Sequence, residues 1–270
     1  MLVRGNRRRF LKRPVPLNPG RLERQGTKHG PPVAAKSVSE VCVAIIPGTR
    51  ILLMKINPFY DAWLFLSGNT DEHRASGVGW LLVALFLALV AATIWIAIVN
   101  WRQDPAQRTN GHLATWFMRV MIGVMFYQGS IWKLPFPVAG GFAAALRQIA
   151  EYAAFGFHRW IAQNIFIPLL PVLDPITYFL ELSFGITFIL GFLVRPMAAI
   201  GILFVAQLWL GLYRQPEEWP WLYVFLMFTL GFFAVTNAGK SLGLDALLTR
   251  SQPGPFKGEG LIARLYRAVT

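Results

Sequence analysis

Hydrophobic and polar positions divide the chain near residue 78. Beyond that point the apolar runs are long. VGWLLVALFLALVAATIWIAIVN, residues 78–100, has 23 residues without a charge. That is long enough to cross a bilayer with some tilt. Four further apolar segments predict spans near 112–134, 174–194, 197–213 and 221–238. Asp174-Pro175 reads as the start of the third span, an N-cap acid followed by proline at the first helical position. Gly239 reads as the C-cap of the last span. Residues 141–157 have helical periodicity but carry Arg147 and Glu151, with His158 just after. This segment is too polar to span and reads as interfacial or re-entrant. His158 reads as a hydrogen-bonded interfacial histidine or as a proton-active group.

Before residue 78 the pattern changes. VCVAII and RILLMKI flank Pro47-Gly48-Thr49, a short hairpin around a Pro-Gly turn. Residues 1–40 are basic and proline-rich. Their RRRFLK is similar to a twin-arginine export motif, but prolines and arginines follow it instead of an apolar segment. The predicted organisation is a basic tail (1–40), an extramembrane hairpin segment (41–77), a first span and linker (78–110), a four-helix membrane bundle (111–250) and a basic C-terminal tail (251–270).

Composition agrees with a polytopic membrane protein. The 270 residues are 55% hydrophobic and 14% charged, with a mean hydropathy of +0.46. An ordinary soluble domain is less apolar. Ten tryptophans and 21 phenylalanines suit aromatic belts at the membrane surfaces. The net charge is +13, and ten Lys/Arg lie within residues 1–40 against Glu23 and Glu40. That charge predicts an arm lying on an acidic partner subunit or on anionic headgroups. Nucleic acid does not fit a membrane-embedded chain. Cys42 is the single cysteine, which excludes an internal disulfide and a CxxC pair. Four histidines show no ligand spacing, so the sequence indicates no haem or metal site.

Charges inside the spans carry the candidate chemistry. Arg119 and Lys133 bracket RVMIGVMFYQGSIWK and share one helical stripe with Gly123, Phe126 and Ser130. Fourteen rises place them ~21 Å apart, so each can snorkel to its own interface. Gly123 and Gly129 leave room for a neighbouring helix. Glu181 lies inside the third span, where an acid costs roughly 2.5–3.5 kcal/mol on an insertion scale. It should face the bundle and bond Lys133, or Gln207 or Gln128 at similar depth. Arg119 and Arg195 should gather at the other end. Quinone chemistry needs a proton-active group beside an apolar slot. Glu181 is the candidate catalytic residue, and Lys133, Gln207 and Gln128 are candidate quinone contacts.

Three stretches resemble the DoxX-like membrane family. Arg119, Gly123, Phe126, Gly129 and Lys133 form its R-x3-G-x2-F-x2-G-x3-K pattern. Glu181, Gly185, Gly191 and Arg195 are similar to its E-x3-G-x5-G-x3-R segment. The ending NAGKSLGLDALL, with Gly239 and Asp245, resembles the DoxD branch, the small membrane subunit of thiosulfate:quinone oxidoreductase. The resemblance covers residues 113–250. It implies a four-helix membrane bundle, a quinone-linked redox complex and a cytoplasmic C-terminus in a bacterial or archaeal inner membrane. Residues 1–110 depart from the family and add a fifth span. Two roles follow. One is the membrane subunit of a quinone oxidoreductase. The other is a non-catalytic structural subunit of a larger respiratory or photosynthetic complex, with residues 1–77 contacting partners. A transporter fits less well, because no internal repeat is present.

Overall fold

The computed structural model describes residues 57–251 together with 260, 263, 264, 266 and 270. The basic tail and both arms of the expected hairpin lie outside the described residues. All regular elements among the described residues are helical.

Residues 57–77 form two short helices. Asn57 accepts the N–H groups of Phe59 and Tyr60 and starts α1 (Pro58–Leu66), with proline at its first position. Thr70 caps α2 (Asp71–Ser76), and Gly77 ends it at φ +70°. Then come α3 (Gly79–Gln103), α4 (Asn110–Ile131), α5 (Gly140–Tyr152), α6 (Gly156–Ile161), α7 (Leu170–Leu190), α8 (Val194–Gly211), α9 (Pro220–Val235) and α10 (Leu244–Ser251).

Three of these helices, α3, α7 and α8, are long and apolar enough to cross a membrane. α9 is apolar but has 16 residues. α4 has 22 residues but includes His112, Arg119 and Gln128, and is not among the three. The outer faces of these helices are apolar. Exposed residues on α3 run from Trp80 to Trp101, about 32 Å along the axis. α4 presents Phe117, Met118, Met121 and Met125, and α9 presents Phe225, Phe228 and Phe232. So large an apolar surface needs a cover, and a helix that is apolar all round suits a membrane.

α4 and α7 run antiparallel in close contact. A Cβ on Gly123 would lie 2.7 Å from the Ile189 nitrogen, and one on Gly185 would lie 3.0 Å from the Tyr127 nitrogen. These two glycines therefore set the helix separation. The expected gap at Gly123 is present. Phe126, Phe184, Phe188, Val205, Leu230 and Phe233 fill the core between α4, α7, α8 and α9. α3 adds Leu82, Phe86 and Leu89 against Tyr127, Ile131 and Ile189. The Tyr127 hydroxyl donates to Leu82 O at 2.6 Å, tying α4 to the first turn of α3.

Three local expectations are corrected. The third span begins at Leu170, so Asp174 and Pro175 lie inside α7. Pro175 costs only one bond near the helix start. Asp174 is a cap of a different kind: its Oδ2 accepts the Ala139 N–H at 2.6 Å, at the start of α5. Residues 141–157 are not one helix, since the chain breaks at Ala153 between α5 and α6. Gly239 is not the C-cap of α9, because Asn237 takes the left-handed position at φ +51°. Gly239 is small for another reason. A Cβ there would collide with the Asp245 carboxylate and lie 3.1 Å from Val194 Cγ2. Gly239→Ala is expected to cost roughly 1–3 kcal/mol as an overpacked site, measured by thermal unfolding in lipid nanodiscs.

Candidate functional site

Glu181 lies eleven residues into α7, about 16 Å from its start. That is deeper than a helix beginning at Asp174 would place it. Lys133 follows the end of α4 and turns back along it, donating from Nζ to Gly129 O at 2.9 Å. The ammonium also forms a buried, hydrogen-bonded ion pair with Glu181 Oε2. Lys133 is 1% exposed and Glu181 7%. Neither snorkels: the protein encloses both, because a partner is available inside the bundle. The Trp132 ring centroid lies 4.1 Å from Lys133 Nζ, a cation–π contact the sequence did not single out.

The pair forms one wall of a cavity of about 520 Å³ between α5, α7, α8 and the start of α9. Its size is typical of small-molecule sites, roughly 300–1,000 Å³. Phe142, Leu146, Leu180, Phe204 and Leu208 supply apolar walls, and Gln207 adds an amide. Glu218 and Tyr223 also line it, the hydroxyl donating to Glu218 Oε2 at 3.1 Å. The arrangement offers an ammonium and an amide to bond a ligand oxygen, and a carboxylate that can accept a proton in an apolar slot.

Gln128 is not brought to this cavity. It is exposed on α4 and lines a separate cleft of about 300 Å³ that includes His73. The helix period explains the difference. Gln128 lies roughly 140° around α4 from Lys133, so equal depth did not mean a shared face.

The opposite end of the α4–α7 pair holds a second polar cluster. Arg119 is fully buried and donates from Nη1 to Phe188 O at 2.7 Å, with Ile189 O at 3.4 Å. It thus caps carbonyls at the C-terminus of α7, where a cation is also favoured by the helix dipole. Gly191 ends that helix at φ +74°, and a side chain there would meet the Arg119 guanidinium. Asp245 accepts the Leu193 N–H at 3.0 Å and the Tyr266 hydroxyl at 2.8 Å, while its own N–H donates to Gly191 O at 2.8 Å. Burial pushes the Asp245 carboxyl up; its hydrogen bonds and Arg119 act the other way. Arg195 is at this same end but exposed, so it does not join Arg119 in the interior.

Apart from the exposed Arg195, the motif residues divide by role. Gly123, Phe126 and Gly185 pack helices. Arg119, Gly191, Gly239 and Asp245 close the α7–α8 connection. Lys133 and Glu181 reach the cavity, with Gly129 beneath the lysine. No His/Cys/Asp/Glu cluster suited to a metal occurs among the described residues. No family model, curated protein or solved structure matches the chain.

His73 and His158 were not absorbed by either cluster. Both lie outside the spans, and burial lowers both imidazole pKa values below the ordinary 6.5; Glu72 partly opposes this at His73. In the unfolded chain each takes up its proton at a higher pH than in the fold. Their contribution to stability is full above about pH 6.5 and falls as pH drops through that value. Melting in nanodiscs at pH 7.5 and 5.5 should show the loss, and replacing both histidines by glutamine should shrink it.

Proposed function

We propose that the chain is an integral membrane subunit of a quinone-linked redox complex, of the DoxX/DoxD type. The observation carrying this reading is the Lys133–Glu181 pair on the wall of an apolar cavity that also contains Gln207. Lys133 or Gln207 bonds a quinone oxygen, and Glu181 exchanges the proton that accompanies reduction or oxidation. The quinone supplies the electron chemistry. The chain supplies an apolar slot, an oriented donor and a protonatable group.

The fold reading is five spans, α3, α4, α7, α8 and α9, in a bacterial or archaeal inner membrane with the C-terminus cytoplasmic. The inward burial of Arg119 and Ser130, and of Lys133 just past the helix end, supports α4 as a span, since these polar groups are kept from lipid. α5 and α6 lie along the interface. Exposed Phe155, Phe157 and Trp160 beside Arg147 and Arg159 support that placement. Residues 1–77 contact partner subunits.

A structural subunit is the second reading, favoured by the bonds that Lys133 already makes inside the protein, to Glu181 and to Gly129 O. Purifying the complex from its native membrane separates the two. The redox reading expects bound quinone and a redox partner. An assembly with neither would favour the structural role.

A further inference from the structure

Residues expected at one site are divided between two cavities, which share Trp132. The smaller one, about 300 Å³, is lined by Phe65, Thr70, His73, Met125, Gln128 and Trp132, among others. His73 is 2% exposed, and its Nε2 is buried with no hydrogen-bond partner among the described residues. A buried imidazole nitrogen left unpaired is costly.

The ring is held in place. Phe65 packs edge-on against it, with centroids 5.1 Å apart. Gly79 lies so close that a Cβ there would be 2.9 Å from His73 Cβ. Thr70 Oγ1 accepts the His73 main-chain N–H at 3.2 Å and lies 2.7 Å from Nδ1. When the Thr70 hydroxyl donates to Nδ1, the neutral ring carries its hydrogen on Nε2. That hydrogen needs an acceptor. Phe65, Met125, Trp132 and the exposed Gln128 line the same cleft as His73.

We propose that this cleft is a second ligand site, in which His73 Nε2 donates to the carbonyl oxygen of a lipid-soluble molecule whose apolar part lies against Phe65, Met125 and Trp132. It rests on the membrane reading and extends the quinone reading to a second position. A neutral carbonyl fits better than an anion because, among the described residues, the cleft is lined by Glu72 and by no cation. Two sources offer that group: a quinone ring or the acyl ester of a phospholipid.

The test follows the imidazole nitrogens of the full chain, labelled with ¹⁵N-histidine, by NMR. Four histidines are present, and His73→Gln assigns the relevant signal. If that variant does not fold, replacing His29, His112 and His158 assigns it by elimination. Spectra are recorded in maltoside detergent, in phospholipid nanodiscs and in nanodiscs with a decyl-benzoquinone. A saturable His73 Nε2 shift on adding the quinone supports the site with a quinone source. A shift between detergent and nanodiscs, unaltered by quinone, supports it with a lipid ester source. Gln128→Leu, at an exposed position, should weaken the quinone response by roughly 3–10-fold, the equilibrium worth of one hydrogen bond. An identical His73 signal in all three media overturns the proposal. The same titration on Glu181→Gln separates the two readings. A persistent His73 response with loss of the other binding event leaves both sites standing. Quinone binding lost in Glu181→Gln with His73 silent throughout retains the first site and removes this one.

Discussion

Lys133→Ala is expected to destabilise the folded bundle by roughly 3–5 kcal/mol, the cost of leaving one buried charge without its partner. Lys133 and Glu181 are both shielded from solvent, and the carboxylate has no other hydrogen-bond donor among the described residues. The substitution also removes the bond to Gly129 O and the contact with Trp132. The double change Lys133→Met with Glu181→Leu should recover most of the loss, because an apolar pair of similar volume needs no desolvation. Unfolding in nanodiscs checks both. Equal destabilisation by the single and double variants would mean that packing, not the charge pair, dominates.

Gly123→Val is the second large effect. A Cβ on Gly123 would meet the Ile189 nitrogen at 2.7 Å and Ile189 Cγ1 at 2.8 Å. Backbone cannot move aside as a side-chain tip can, so α4 and α7 must separate. The expected cost is roughly 3 kcal/mol, at the upper end for added volume in a packed core. Gly123→Ala should fall between wild type and valine. Gly231 is the control: nothing lies within 4 Å of its Cβ position. Gly231→Ala should be neutral or stabilise by up to about 1 kcal/mol through helix propensity. Because Lys133 directly follows α4 and Glu181 lies on α7, the Gly123 variants should loosen the ion pair as well.

Long-period features were legible in the sequence and short-range geometry was not. Each expected span has a helix over most of its length, because apolar length is written directly in the residues. Lys133 and Glu181 were expected within hydrogen-bond reach from axial rise and antiparallel order, and they pair. Gln128 was misplaced because depth alone ignores the angle around the helix. Asp174 looked like a cap and is one, but for Ala139 rather than for its own helix. A local motif cannot say which backbone its carboxylate will reach. Gly239 was read as a cap because it is the glycine that closes the last span, but Asn237, two residues earlier, also tolerates a left-handed backbone and takes that position. His73 carried no signal in the sequence. Its burial comes from the packing of α2 against α3 and α4, a tertiary event that no spacing in DEHRAS records.

The central claim is that Glu181 exchanges a proton with a quinone bound beside Lys133. Its most direct test is quinone-linked turnover of the native complex carrying Glu181→Gln, with assembly measured on the same sample. The amide keeps the shape and can still accept a hydrogen bond from Lys133, but it cannot exchange the proton. The account predicts an assembled complex whose turnover is abolished. An assembled Glu181→Gln complex turning over at the wild-type rate would contradict it and leave the ion pair with a structural role alone.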